Sequence, residues 1–193
     1  MSVPSPQTIV PFTIRDLTPY DIARSVTNLV NQETIPSIGA RLVYRGIIKT
    51  EDIPNIRAYI GERQPTNARF NIRVVPSTKE TEWLATRFRK DKFTTYIDCI
   101  TRVITDREKM DQLISEFGGA VQNWFLQLDG LQFNVQGLPG DTPTPVKVFD
   151  SWAGELTPGF SQDGALRIAR ITFVCWVAVP YNPSVPMGPL TSC

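Results

Sequence analysis

Histidine is absent from this 193-residue sequence. Its absence excludes Ser-His-Asp and Cys-His catalysis, paired histidine ligands for zinc on a helix, and imidazole proton relays. The sequence also lacks a phosphate loop of the Gly-x-x-x-x-Gly-Lys kind, a Gly-x-Gly-x-x-Gly turn and an Asp-rich calcium loop. Carboxylate-only chemistry stays open, but no close pair of carboxylates stands out. Charge of one sign is missing as well: Lys plus Arg number 20, Asp plus Glu 19, and the net charge is +1. Proteins that grip nucleic acid carry a basic excess, because phosphate neutralisation supplies most of their affinity; here only a local patch could serve. The three cysteines, Cys99, Cys175 and Cys193, are odd in number and widely spaced, without a Cys-x-x-Cys pair. They predict two buried thiols and one free terminal thiol in a reducing compartment, not a disulfide framework. The longest apolar run, Ile171 to Val179, is interrupted by Thr172 and falls far short of a membrane span. Residues 1–12 have neither the basic start nor the apolar run of a signal peptide. The expectation is a chain made in a cytoplasm-like compartment, without membrane partner or cofactor.

What is present suits one domain: 41% hydrophobic and 20% charged residues in a chain long enough to close a core. Residues 1–17 hold Pro4, Pro6 and Pro11 and read as an extended arm. Its apolar residues Ile9, Val10, Phe12 and Ile14 suit contact with a neighbour. Thr18, Pro19 and Asp21 are a cap, a first-turn proline and a dipole-compatible acid. Ile22, Val26, Leu29 and Val30 continue them as one apolar stripe, a helix expected to stop near Glu33, before Pro36. In 36–54, Leu42 to Tyr44 and Ile47 to Ile48 suggest a short strand pair turning at Gly46. Alternation predicts strands at 56–60, 70–74 and 93–104, the last with apolar residues on both faces (Phe93, Ile97, Cys99 and Val103; Tyr96, Ile100 and Ile104). Thr105 and Glu108 have capping-box spacing, and Met110 to Leu128 carry a continuous apolar face. Burying eight large side chains at roughly 1.5–3 kcal/mol each about offsets ordering the helix backbone at ~1–2 kcal/mol per residue, so this helix needs a sheet to lie on. A Pro/Gly loop at 137–145, a strand at 146–152, a turn-rich link at 154–164 and a long strand at 165–179 follow. The Pro-rich residues 181–193 read as a surface tail. The fold class is α+β: a mixed, mainly antiparallel sheet flanked by two helices in the order α-β-β-β-α-β-β, forming one domain over 18–180 with extended arms at both ends.

Ser77 to Lys92 is the segment most suited to contact. It reads as a loop far longer than a hairpin usually needs. Lys79, Arg87, Arg89, Lys90 and Lys92 are set against Glu80, Glu82 and Asp91, with Trp83, Leu84 and Phe88 among them. A solvated hairpin extension with its own apolar cluster would look similar. Trp152 and Trp176 suit the core or an interface, Cys99 and Cys175 the core, and Asp98 a surface or paired carboxylate. An enzyme would have to use carboxylates or Cys175 as nucleophile. A small nucleic-acid-binding module would use the basic residues of 87–92.

In organisation the chain resembles the tail-terminator and head–tail connector (neck) proteins of tailed bacteriophages. The resemblance runs over roughly Thr18 to Pro180. It rests on the capped helix leading to the strand at 56–60, the strand ending Val74-Val75-Pro76, and the polar segment before a Thr/Tyr/Ile strand at 93–104. The aromatic-rich helix at 107–128 and the strand Leu166 to Phe173 complete it. It implies a structural virion protein, not an enzyme, forming a homo-oligomeric ring, with a hexamer as the expected order. In that family the ring ends the tail tube and joins it to the head-side connector, with the sheath of contractile tails as a further candidate partner, while DNA passes through the centre without specific contacts. It places Lys79, Trp83, Arg87, Phe88, Arg89, Lys90 and Lys92 at an interface or the lumen, and Phe12, Ile14 and Tyr181 in arm contacts. The alternative within this class is another neck, tail or baseplate component. Pro-rich arms and the 36–54 insertion depart from compact family members.

Overall fold

A computed structural model of the chain describes residues 17–46, 48–61, 69–85, 88–102, 107–127, 132–135, 144–161 and 165–180. Helix α1 (Pro19–Leu29) starts as its sequence predicts. The Thr18 hydroxyl oxygen accepts from the Asp21 N–H at 3.3 Å, and the Asp21 carboxylate accepts from the Thr18 N–H at 3.0 Å. This reciprocal cap satisfies donors that a helix start leaves orphaned.

The helix does not stop at Glu33. It widens into a π-helical turn (Val30–Thr34), in which the Ile35 N–H reaches the Val30 carbonyl, and continues as α2 (Ile35–Tyr44). The strand pair expected in 36–54 is therefore not formed. Ile35, Ile38 and Leu42 are all buried, a helical spacing rather than an alternating one. The wide turn lies just before Pro36, which has no N–H to give to a regular turn. Gly39 lets a 3₁₀ turn (Thr50–Asn55) pack closely, since a Cβ there would sit 2.8 Å from Ile53. Gly46, at φ +72°, donates its N–H to the Val43 carbonyl and closes the helix.

Among the described residues six strands form the sheet: β1 (Arg57–Ile60), β2 (Phe70–Ala85), β3 (Phe88–Arg102), β4 (Gln132–Val135), β5 (Thr144–Phe160) and β6 (Leu166–Pro180), ordered β1-β2-β3-β6-β5-β4. β1 runs parallel to β2 and the other pairs are antiparallel, the mixed sheet that the sequence predicts. β4, unforeseen in the sequence, pairs only with Thr144 to Lys147 of β5. The last helix, α3 (Arg107–Leu126), lies on the same face of the sheet as α1. Phe117 meets Phe70 edge-on at 5.5 Å, and Phe125 meets Phe173 at 5.1 Å. Ile72, Val74, Phe93, Ile97, Cys99, Ile171 and Cys175 complete this one core.

Two further expectations change. The link expected at 154–164 is β-strand to Phe160, and the loop expected at 77–92 is mostly ladder, with β2 running to Ala85 and β3 beginning at Phe88. Turn-type residues (Gly154, Pro158, Gly159) and dense charge suggested loops. In the folded chain the charges of the hairpin face opposite charges across the ladder, Glu80 opposite Lys92 and Glu82 opposite Lys90, which favours pairing.

The exposed margin of β1 is sealed by Asn31 from the π-helical turn. Its side chain accepts from the Ala58 N–H at 2.9 Å and donates to the Ala58 carbonyl at 3.0 Å, as a neighbouring strand would.

The adjacent glycines of α3 differ in what they touch. A Cβ on Gly118 would lie 2.8 Å from both Ala169 Cβ and Leu156 Cδ1, whereas one on Gly119 would meet open space. Gly118→Ala is expected to lower stability, because overpacking at about 1–3 kcal/mol outweighs a helix-propensity gain of at most about 1 kcal/mol. Gly119→Ala is expected to raise stability by about 0.5–1 kcal/mol. Urea unfolding of the two variants checks the opposite signs.

Candidate assembly surface

The far half of the β2–β3 hairpin, where the contact residues were expected, has two register shifts, one between Pro76 and Lys79 and one between Trp83 and Ala85, and the first sets the direction of Lys79. Pro76 pairs with Thr95 and Lys79 with Phe93, so Ser77 and Thr78 together face Thr94. The extra residue reverses the alternation of β2. Lys79 therefore turns to the helix side, where its ammonium lies 3.2 Å from the Asp91 carboxylate, donates to the Leu17 carbonyl at 3.0 Å and sits over the Phe93 ring. Asp91 is wholly buried and also accepts from the Thr81 hydroxyl at 2.9 Å.

The other predicted residues are distributed along the hairpin. Lys92 pairs with Glu80 at 3.1 Å, and the Lys90 ammonium lies over the Trp176 ring at 5.4 Å. Trp83 is opposite Arg89, and Phe88 is opposite Ala85 and Pro180; only the strand positions of these three are described. Arg87, Phe12, Ile14 and Tyr181 lie outside the described residues.

The sheet face turned away from the helices carries a charged row that the sequence shows only as scattered residues. Arg73, Asp98 and Arg170 stand directly opposite one another on β2, β3 and β6. Asp98 is fully buried and accepts from Arg73 Nη2 at 2.7 Å and from Arg170 Nε at 2.7 Å. Its hydrogen bonds to Arg170 push that guanidinium's pKa further up, so the arginine stays charged. The Arg170 guanidinium also stacks 4.9 Å from the Tyr96 ring. One carboxylate thus holds two guanidiniums, leaving a net positive charge in the middle of the face. Tyr59, one strand over from Arg73, has a buried hydroxyl with no hydrogen-bond partner among the described residues, and burial raises its pKa.

Large apolar side chains are exposed on several elements: Tyr20 on α1, Tyr44 on α2 (92%), Leu126 on α3, and Trp152 (52%) and Phe160 (73%) on β5. Trp152 folds along its own strand over Gly154, where a Cβ would collide with the indole. Between α2 and α3 a polar groove is lined by Arg41, Arg45, Ser115, Glu116 and Asn123. Arg45 bridges it to Glu116 at 2.9 Å, and that hydrogen bond holds the Glu116 carboxyl below its usual range.

The arrangement offers little to chemistry. Burial raises the thiol of Cys99 and pushes that of Cys175 up to about 12, so neither is a nucleophile at neutral pH. This removes Cys175 from the enzyme alternative. Among the described residues no group of three or more His, Cys, Asp or Glu side chains could hold a metal ion, and no helix is long and apolar enough to cross a membrane.

Replacing Asp98 tests the charged row. Asp98→Asn keeps the shape but leaves two guanidiniums against a neutral amide. The guanidiniums left behind reach solvent, Arg170 more than Arg73, so urea unfolding is expected to show a loss of about 1.5–3 kcal/mol, the range for hydrogen bonds to a charged group. Lys92→Met, which breaks an exposed pair, should cost no more than about 1 kcal/mol.

No family model matches the chain, and no curated protein matches it. Among solved structures, a chain of the "Virion of native gene transfer agent (GTA) particle" superposes with a TM-score of 0.45 at 12% identity, covering 63% of this chain and 78% of that one. A likeness of this size carries no argument about function.

Proposed function

We propose that the chain is a structural virion protein of a tailed phage or phage-like particle. Its copies form a ring at the head–tail junction that ends the tail tube, joins it to the head-side connector and lets DNA pass through. The reading starts from the sequence resemblance. The structural observation that supports it best is the distribution of exposed anchors. Tyr20, Tyr44, Leu126, Trp152 and Phe160 are on the surface of the helix layer and of the sheet edge, in different elements. Aromatic anchors spread over unlike surfaces suit a heterologous contact, in which one patch meets a different patch of the next copy and rotation closes the ring.

The contact regions proposed are the hairpin end, with Trp83, Arg87, Phe88, Arg89, Lys90 and Lys92, and the terminal residues Phe12, Ile14 and Tyr181. Lys79 belongs to the arm root instead, because its ammonium is engaged inward. The acids facing Lys90 and Lys92 weigh against a nucleic-acid-binding module: Lys90 stands opposite Glu82 and Lys92 opposite Glu80, while Arg89 stands opposite Trp83. Such a balanced surface suits DNA that slides past more than DNA that is held.

Light scattering on a sizing column should give one discrete oligomer of the 21.7 kDa chain, with a hexamer expected, and Trp152→Ala or Tyr44→Ala should shift it toward smaller species. A strict monomer at all concentrations, together with DNA binding that weakens steeply with salt, would instead support the nucleic-acid-binding module.

A further inference from the structure

Leu17 is buried, and its carbonyl lies outside the α1 hydrogen-bond ladder, whose first acceptor is the Thr18 carbonyl. A buried carbonyl needs a donor. Here the donor is Lys79, reaching from a strand 62 positions away in sequence. Three features converge on that contact. The β2 bulge turns Lys79 inward, the buried Asp91 holds its ammonium, and Thr81 holds Asp91. A buried ion pair is weak evidence of net stabilisation, since an apolar replacement of similar volume often does as well. What the ammonium supplies, and an apolar side chain does not, is a fixed hold on the last carbonyl before the helix cap.

We infer that Lys79 is a positioning residue for the N-terminal segment. Held by Asp91, it fixes Leu17, the residue before the α1 cap, against the β2–β3 ladder. The inference goes beyond the assembly proposal and holds for a monomer as well as a ring.

Limited trypsin digestion tests it, with cleavage after Arg15 followed by mass spectrometry and global stability measured in parallel by urea unfolding. Lys79→Met keeps the unbranched stem over Phe93 and removes the ammonium. It is expected to be cleaved after Arg15 at least tenfold faster than the parent chain while cleavage within α3 and β6 is unchanged, and Lys79→Arg is expected to restore slow cleavage. Asp91→Asn, which keeps an acceptor for Thr81 but frees the ammonium, should behave as Lys79→Met does. Equal cleavage after Arg15 in parent and Lys79→Met would overturn the inference. Unfolding of both Lys79→Met and Asp91→Asn would also overturn it, because the pair would then be a core element and not a positioning one.

Discussion

Two fully buried aspartates on one strand hold the sheet in register. Asp91 and Asp98 lie an odd number of positions apart along β3, so they point to opposite faces. Asp98 meets Arg73 and Arg170 on the open face; Asp91 meets Lys79 on the helix side. A slip of β3 by one residue against either neighbour would send Asp98 into the apolar core without its arginines and turn Asp91 away from its lysine. Each uncompensated buried charge would cost on the order of 3–5 kcal/mol. Strands of 15 to 17 residues offer many alternative pairings; apolar alternation selects the face, and these carboxylates select the register.

From that register follows the disposition of the surfaces. The apolar face formed by Ile72, Val74, Ile97, Ile171 and Phe173 receives the helices, and the missing side chain of Gly118 lets α3 settle onto Ala169. One sheet margin is closed by Asn31 on Ala58. The other is interrupted by β4 at its start, by bulges in β5 and by Pro158. Such features discourage edge-to-edge pairing. In the ring we propose, contacts between copies would then fall to faces and exposed aromatics.

The parts of the fold legible in the sequence were those with a local physical signature. The Thr18–Asp21 cap, the alternation of β3 and β6 and the apolar face of α3 depend on near neighbours. Residues 35–44 misled because Leu42, Val43 and Tyr44 look like a β-prone run, while the helical spacing of Ile35, Ile38 and Leu42 is obscured by Pro36 and Gly39. The hairpin misled because charge density resembles a loop until the cross-strand partners are known: Glu80 and Lys92 are distant in sequence and adjacent in space. At the candidate site, Trp83, Lys90 and Lys92 lie on one hairpin, in its ladder and not in a loop. The inward turn of Lys79 depends on a bulge that no residue type announces, and the Arg73–Asp98–Arg170 row joins three strands whose order the sequence does not reveal. Asp98 reads from the sequence as a surface or paired carboxylate; it is paired and fully buried, and its partners are not legible there.

The ring we propose for this chain closes through unlike surfaces of its own copies. Electron microscopy of the purified native protein, with image classes averaged without imposed symmetry, tests this most directly. The account predicts one closed ring of fixed copy number with a central opening. Separate single-copy particles, or open filaments without a pore, would contradict it.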